Sequence, residues 1–263
     1  MFSECPKNVR SSAKGQVEHH PEIEPEDMLK LYSSIDINTP TGLQEKVWLD
    51  VMLHFIRRGR ENQRSMTVQT FEVGTDASGK RFVSQRSGEI DKNHGALDEI
   101  ASDGRIYETG TTSCPVESFI KYVDHLHPQQ TAFWQKPKQN WSVMDEIWYS
   151  NSPIGKKTLG GMLAKLSIKY VLSQRYTNHS LRVTGLQALE DANIEGRHII
   201  RVSGHKSEDS ILSTMLVTCQ QQESEIYPQY YQVRSPIVPA KRTCHHEKSN
   251  KRSWMWKPMH VLL

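Results

Sequence analysis

Thr177-Asn178-His179-Ser180-Leu181-Arg182 opens, and Val202-Ser203-Gly204-His205-Lys206-Ser207-Glu208 closes, the stretch of this 263-residue chain that decides its reading. The apolar spacing between them predicts one helix over His179–Asn193 and a shorter one over Arg197–Val202, stopped by Gly204. His179 and Arg182 are three apart, so both lie on one side of the first turn of a helix. The positive end of that helix adds backbone N–H donors, which suit an anion such as a phosphate. His205 and Lys206 follow Arg182 after 23 and 24 residues, again at a helix boundary. Arg offers a two-pronged fork for phosphate oxygens, and His can donate a hydrogen bond or pass a proton. Two His, one Arg and one Lys are the groups needed to neutralise a pentacoordinate phosphate. A lone His-x-x-Arg is ordinary surface chemistry, so the surrounding elements have to carry the argument.

Working toward the N-terminus, Leu159, Met162, Leu163 and Leu166 predict an amphipathic helix, with Gly160-Gly161 permitting close packing. Residues 127–157 read as a long connection in which Trp134, Trp141 and Trp148 are partly buried, with Met144 as a core filler. Pro115 opens a helix carrying Val116, Phe119, Ile120 and Val123 on one face. Thr70–Val73 and Arg81–Val83 flank a hairpin loop, Asp76 to Gly79, and Arg105–Tyr107 is a third strand. Before them, Thr39 is an N-cap and Pro40 a first helical residue, followed by Leu43, Val47, Val51 and Phe55 at four-residue spacing. That helix runs into Arg57-Arg58-Gly59-Arg60. Residues 1–38 read as a mostly disordered acidic leader with a single helical turn at Asp27–Tyr32. Residues 39–220 read as one domain, ending in a helix from Glu208 to Gln220, and 221–263 as a basic, Pro-containing tail.

Composition bounds the rest. Apolar residues make up 36% and charged residues 24%, with a formal net charge of +3, a soluble globular balance. No apolar run approaches the ~18–20 residues of a membrane span, and the start lacks a signal pattern, so neither membrane nor secretion is expected. The four cysteines form no Cys-x-x-Cys pair, and no metal or other cofactor is expected; Cys244-His245-His246 is too short a cluster to hold an ion well. The charge is uneven: residues 1–38 hold seven acids against four bases, and residues 156–206 hold nine bases against three acids. Such a basic middle suits a polyanion, although on charge alone an ordinary solvated face is the better explanation. Lys241-Arg242 and Lys251-Arg252 are spaced like a weak bipartite nuclear signal.

The order of an Arg at a helix end, a three-stranded sheet, a Lys between strands, His-x-x-Arg and then Gly-His resembles the catalytic domain of tyrosine recombinases. The wording of Val47-Trp48, Leu53-His54-Phe55, Arg57-Arg58-Gly59-Arg60-Glu61-Asn62, Lys92-Asn93-His94, Cys114-Pro115-Val116 and the 177–208 stretch looks like the Crypton-derived version. That version occurs in Crypton transposons and near the C-termini of animal zinc-finger MYM-type proteins. The resemblance runs from Pro40 to Met215, about two-thirds of the chain. It implies an α+β, mainly helical fold with a small three-stranded antiparallel sheet. It further implies a phosphate pocket of Arg60 and Arg182 as clamps, Lys92 as donor to the leaving 5′ oxygen, His179 as proton carrier and His205 as a further phosphate contact. Arg57, Arg58 and Arg64 are the alternatives to Arg60, and Lys80 is the alternative to Lys92.

One departure changes the expected function. The family's nucleophilic tyrosine falls nine residues after the second histidine, and here that residue is Thr214. A threonine hydroxyl is shorter than a phenol and has a pKa well above the ~10 of tyrosine, so no phosphotyrosyl intermediate forms there. The expectation is therefore a domesticated, catalytically inactive domain in the nucleus, binding the DNA backbone non-specifically or nuclear protein partners. The short polar stretch before the first core helix leaves no room for the helical module with which such recombinases close around DNA. Two alternatives stand beside it: an active recombinase using Tyr227, Tyr230 or Tyr231, and a protein-interaction domain without DNA binding.

Overall fold

Thr39 and Pro40 start the helix around which the other elements pack. In the structure, a computed structural model describing residues 20–57, 62–86, 104–205, 207–212 and 214, helix α2 spans Pro40–His54. Thr39 Oγ1 accepts from the Gly42 N–H at 3.1 Å, as its N-cap position requires. The Leu43/Val47/Val51 stripe is buried as expected, but so is the opposite face, because α2 is central rather than amphipathic. Its polar residues are buried only in partnership: Gln44 Nε2 donates to Gln135 O at 2.6 Å, and Lys46 Nζ meets Asp50 Oδ2 at 2.5 Å.

The three expected strands form one antiparallel sheet in the order β1 (Phe71–Thr75), β2 (Arg81–Gln85), β3 (Arg105–Tyr107). Val73 faces Val83, and Val83 faces Ile106 on the next strand. The sheet lies against α2 and α3 (Pro115–Asp124), sealed by Phe71, Phe119 and Phe133, whose ring centroids are 4.8–5.5 Å apart. The architecture is thus α+β, mainly helical, with one small three-stranded antiparallel sheet. Among the described residues no helix is long and apolar enough to cross a membrane.

Five expectations need correction. The leader does not stay outside the fold: α1 (Pro25–Ser34) packs into the main core through Met28 and Leu31, flanked by Ile23 and Ile35. An average over 38 polar residues hid these four apolar residues at helical and near-helical spacing. The long connection is a second hairpin, β4 (Gln135–Pro137) with β5 (Tyr149–Pro153), and Trp134 and Trp148 are each only 1% exposed beneath it. Met144, expected in the core, lies in the hairpin loop at 87% exposure. The predicted helix over 159–166 is two, α4 (Lys156–Gly160) and α5 (Met162–Lys169), broken at Gly161. Nothing presses on Gly161 closer than Lys157 O, 3.6 Å from an added Cβ, so it marks a break and not a close packing.

Helices α6 (Asn178–Asp191) and α7 (Gly196–Ser203) confirm the two expected after Thr177. A separate small core of Ile56, Leu186, Leu189, Ile199 and Ile211 joins them to the end of α2 and to the helical turn at 208–212.

Candidate functional site

Asn178 fixes where α6 begins. Its Oδ1 accepts from the Leu163 N–H at 3.0 Å and its Nδ2 donates to Leu159 O at 2.7 Å, tying the start of α6 to α4 and α5. Further along, α6 crosses α2 at Gly185, where an added Cβ would stand 2.9 Å from Leu53 O and 3.3 Å from Ile56 Cγ1. Only a residue without a side chain allows this approach.

Arg182, one turn before Gly185, thereby reaches the end of α2. That end closes with the hydrogen bonds of a Schellman turn: Ile56 N–H to Leu53 O at 3.2 Å and Arg57 N–H to Met52 O at 3.1 Å. The residue in the left-handed position is Ile56, at φ 48°, where glycine is usual. Its carbonyl accepts a hydrogen bond from Arg182 Nη1. Arg182 Nη2 donates to Ser203 O at 2.8 Å, joining the end of α7 to the end of α2. Arg182 as a whole is 3% exposed.

Gly204, at φ 66°, ends α7 in a left-handed turn that brings His205 back over Arg182. Arg182 Nη2 lies 3.1 Å from His205 Nε2 and 3.3 Å from Nδ1. Ser203 Oγ stands 2.6 Å from His205 Nδ1, and Thr214 Oγ1 stands 3.4 Å from Nε2. Thr214 Oγ1 also donates to Ser210 O at 2.8 Å. The structure therefore brings Arg182, His205 and Thr214 together, although 32 residues separate the first from the last.

His179 sits one turn before Arg182 and is half-buried. Burial, with the neighbouring charges of His20 and Arg182, pushes its pKa down to about 4. At neutral pH it is thus an uncharged imidazole that can donate through one N–H but holds no proton to release. The ring of His20, whose centroid is 5.2 Å away, packs on it at 59°. The segment before α1 is held to α6 by Ile23 N–H to Thr184 Oγ1 at 2.8 Å and to the residues leading into it by Glu24 N–H to Tyr176 OH at 3.2 Å. Sequence reasoning missed His20 because it assigned the residue to the leader; buried Ile23 was the available signal.

Arg60 and Lys92 lie outside the described residues, as do Arg58, Lys206, Tyr227, Tyr230, Tyr231 and Cys244. Of the alternatives, Lys80 stacks over the Tyr107 ring at 5.8 Å, and Arg64 is exposed on a short 3-10 turn. Among the described residues no group of three or more His, Cys, Asp or Glu is arranged to hold a metal.

In comparisons with known proteins, no family model matches the chain. No curated protein matches it either. Solved structures do. The chain is similar to XerA recombinase, with a TM-score of 0.48 and 15% identity over 80% of this chain and 68% of that one. It is also similar to the Tn1549 transposon integrase in complex with transposon right-end DNA, with a TM-score of 0.44 and 14% identity over 77% and 65%. The same integrase in complex with a circular-intermediate DNA gives 0.44 and 13% over 79% and 66%. The chain spans about two-thirds of the length of each of these structures.

What the described cluster offers is a fixed cation with its fork held by two carbonyls, a buried imidazole and two hydroxyls. It holds no phenol: the hydroxyl at the His205 edge belongs to Thr214.

Proposed function

We propose that this chain is a tyrosine recombinase-like domain of Crypton type that has lost its nucleophile and binds the DNA phosphate backbone in the nucleus. The observation that carries the reading is the convergence of Arg182, His205 and Thr214 at 3.1–3.4 Å, since these are the positions of clamp, second histidine and nucleophile in the family pattern. With threonine in the last position, the remaining chemistry is charge and hydrogen bonding to a phosphate. Arg60 and Lys92 complete the proposed pocket on sequence grounds. Backbone contacts carry no base information, so binding is non-specific and falls steeply with salt. Chromatin-associated protein partners belong to the same reading.

The test is binding to a labelled 30-base-pair duplex across a salt series from 50 mM, with a denaturing gel run on the same samples. Arg182→Ala and the half-buried His179→Ala are compared with wild type, each checked for folding by thermal melting. Salt-dependent binding weakened in both variants, with no covalent band, is the expected result. Unchanged affinity in both would remove the pocket as the site. A covalent band lost in the Tyr227, Tyr230 and Tyr231 triple Phe variant would restore the enzyme. No binding at 50 mM salt would leave a protein-interaction domain.

A further inference from the structure

We infer that Ser203 is a positioning residue that holds His205 as the Nδ1–H tautomer, so that Nε2 keeps the lone pair and takes up a proton from solvent when a phosphate binds. The second half of this inference rests on the phosphate-binding reading above; the first half does not.

The Ser203 hydroxyl fixes the tautomer. Ser203 Oγ lies 2.6 Å from Ile199 O, one turn back on α7, and 2.6 Å from His205 Nδ1. A hydroxyl carries a single hydrogen, and a carbonyl can only accept, so the hydrogen belongs to the Ile199 bond. Ser203 Oγ must then accept from Nδ1–H. Nε2 is then left with the lone pair; Arg182 Nη2, 3.1 Å from Nε2 and 3.3 Å from Nδ1, lies against both ring nitrogens and does not choose between them. Thr214 does not disturb this assignment, since its hydrogen goes to Ser210 O.

The consequence concerns the ligand. An imidazole lone pair repels phosphate oxygens, and Nδ1–H is already committed to Ser203. For His205 to hydrogen-bond a phosphate, Nε2 has to gain a proton, and Thr214 Oγ1 at 3.4 Å is placed to accept from it as well. Among the described residues, the groups around His205 include the permanent cation Arg182 on α6, the hydroxyls of Ser203 and Thr214, and, one turn along α6, His179 with His20 packed on it. Arg182 opposes a second positive charge until an anion arrives, which makes binding the event that drives protonation.

The experiment uses the whole chain labelled with nitrogen-15 in its histidines, followed by two-bond proton–nitrogen spectra, with His205 assigned by its loss in His205→Gln. At pH 7.5 without DNA, His205 is expected to show a protonated Nδ1 and an unprotonated Nε2. Ser203→Ala is expected to lose that pattern, and Ser203→Thr, which keeps the hydroxyl, to restore it. An Nε2–H tautomer in the wild type, or an unchanged pattern in folded Ser203→Ala, overturns the role of Ser203. On adding the 30-base-pair duplex at low salt, Nε2 is expected to become protonated, and affinity to rise up to about tenfold per pH unit lowered, the limit for one proton. Binding without that change overturns the proton uptake alone. No binding at all overturns the phosphate-binding reading together with the uptake, and leaves the tautomer result standing.

Discussion

Gly185→Ala tests the seam on which the position of Arg182 depends. Inside an exposed helix this substitution stabilises by about 1 kcal/mol, because alanine is the better helix former. Here the new Cβ meets Leu53 O at 2.9 Å, a backbone atom of a buried helix, and Ile56 Cγ1 at 3.3 Å. Relief requires α2 and α6 to move apart by a few tenths of an ångström, and overpacking of this kind costs about 1–3 kcal/mol. The difference is a net loss of about 1 kcal/mol, which lowers Tm by about 2–4 °C for a domain of this size. Gly155→Ala is the control: no atom lies within 4 Å of an added Cβ there, so its effect should be small. Paired thermal and denaturant melts measure the loss. The same displacement separates Ile56 O from Arg182, so the weakened DNA binding of Arg182→Ala should be partly reproduced. Gly185→Ala as stable as wild type, or more so, would refute the close approach and the account of how Arg182 is placed.

Other substitutions probe other parts of the argument. Val171 is 73% exposed at φ 51°, a backbone conformation that costs a β-branched residue about 1–2 kcal/mol. Val171→Asn should therefore raise the denaturant midpoint, by up to about 1 kcal/mol in unfolding free energy. Trp148→Ala should cost about 3–5 kcal/mol, and Trp141→Ala, half-buried against it, distinctly less; equal losses in urea melts would contradict the second hairpin. Burial raises the Asp27 pKa, but hydrogen bonds from Ser173 and Tyr176 outweigh it and hold the carboxyl below its ordinary range. The ionised form is thus favoured in the fold, contributing stability above the ordinary carboxylate pKa that is lost as pH falls through the folded value. Asp27→Asn should lower stability at pH 7 and flatten the acid limb of the stability–pH curve. Glu22 behaves oppositely, with burial beside Glu24 and Asp191 raising it to about 6. Its contribution is lost between about pH 4.5 and 6 as pH rises, and Glu22→Gln should remove that fall.

The parts legible in the sequence were those encoded by local chemistry. Thr39-Pro40 announced α2, Asp76 to Gly79 the hairpin, Pro115 the start of α3 and Gly204 the end of α7, each through a residue whose backbone preference acts on its immediate neighbours. The resemblance, more than their spacing, singled out His179, Arg182 and His205, and the structure brings Arg182 and His205 into contact. The second hairpin was not legible: Gln-Lys-Pro and Tyr-Ser-Asn-Ser-Pro carry little strand preference. It is held instead by buried Trp134 and Trp148 and by Gln135, whose Oε1 accepts from His127 N–H at 2.8 Å and whose Nε2 reaches three carbonyls of the same loop. No local pattern marks Ser203, since its contacts are to a ring two residues on and a carbonyl four residues back. His20 and Ile56 O depend on contacts 159 and 126 residues away in sequence, and no local pattern encodes those.

Ile56 shows how the site and the fold constrain one another. A left-handed backbone costs an isoleucine about 1–2 kcal/mol, and glycine would adopt it freely. Yet Ile56 is fully buried at the centre of the small core that joins α2, α6, α7 and the turn at 208–212. Burying such a side chain contributes about 1.5–3 kcal/mol, more than the strain removes, so the isoleucine is the better choice by a narrow margin. The same turn aims the Ile56 carbonyl at Arg182, and that bond, with the one to Ser203 O, sets the guanidinium beside His205. Relieving the strain with glycine would empty the small core that carries α7 and Ile211, and with them His205 and Thr214. Arg182, His205 and Thr214 are therefore held by one five-residue core distinct from the main one.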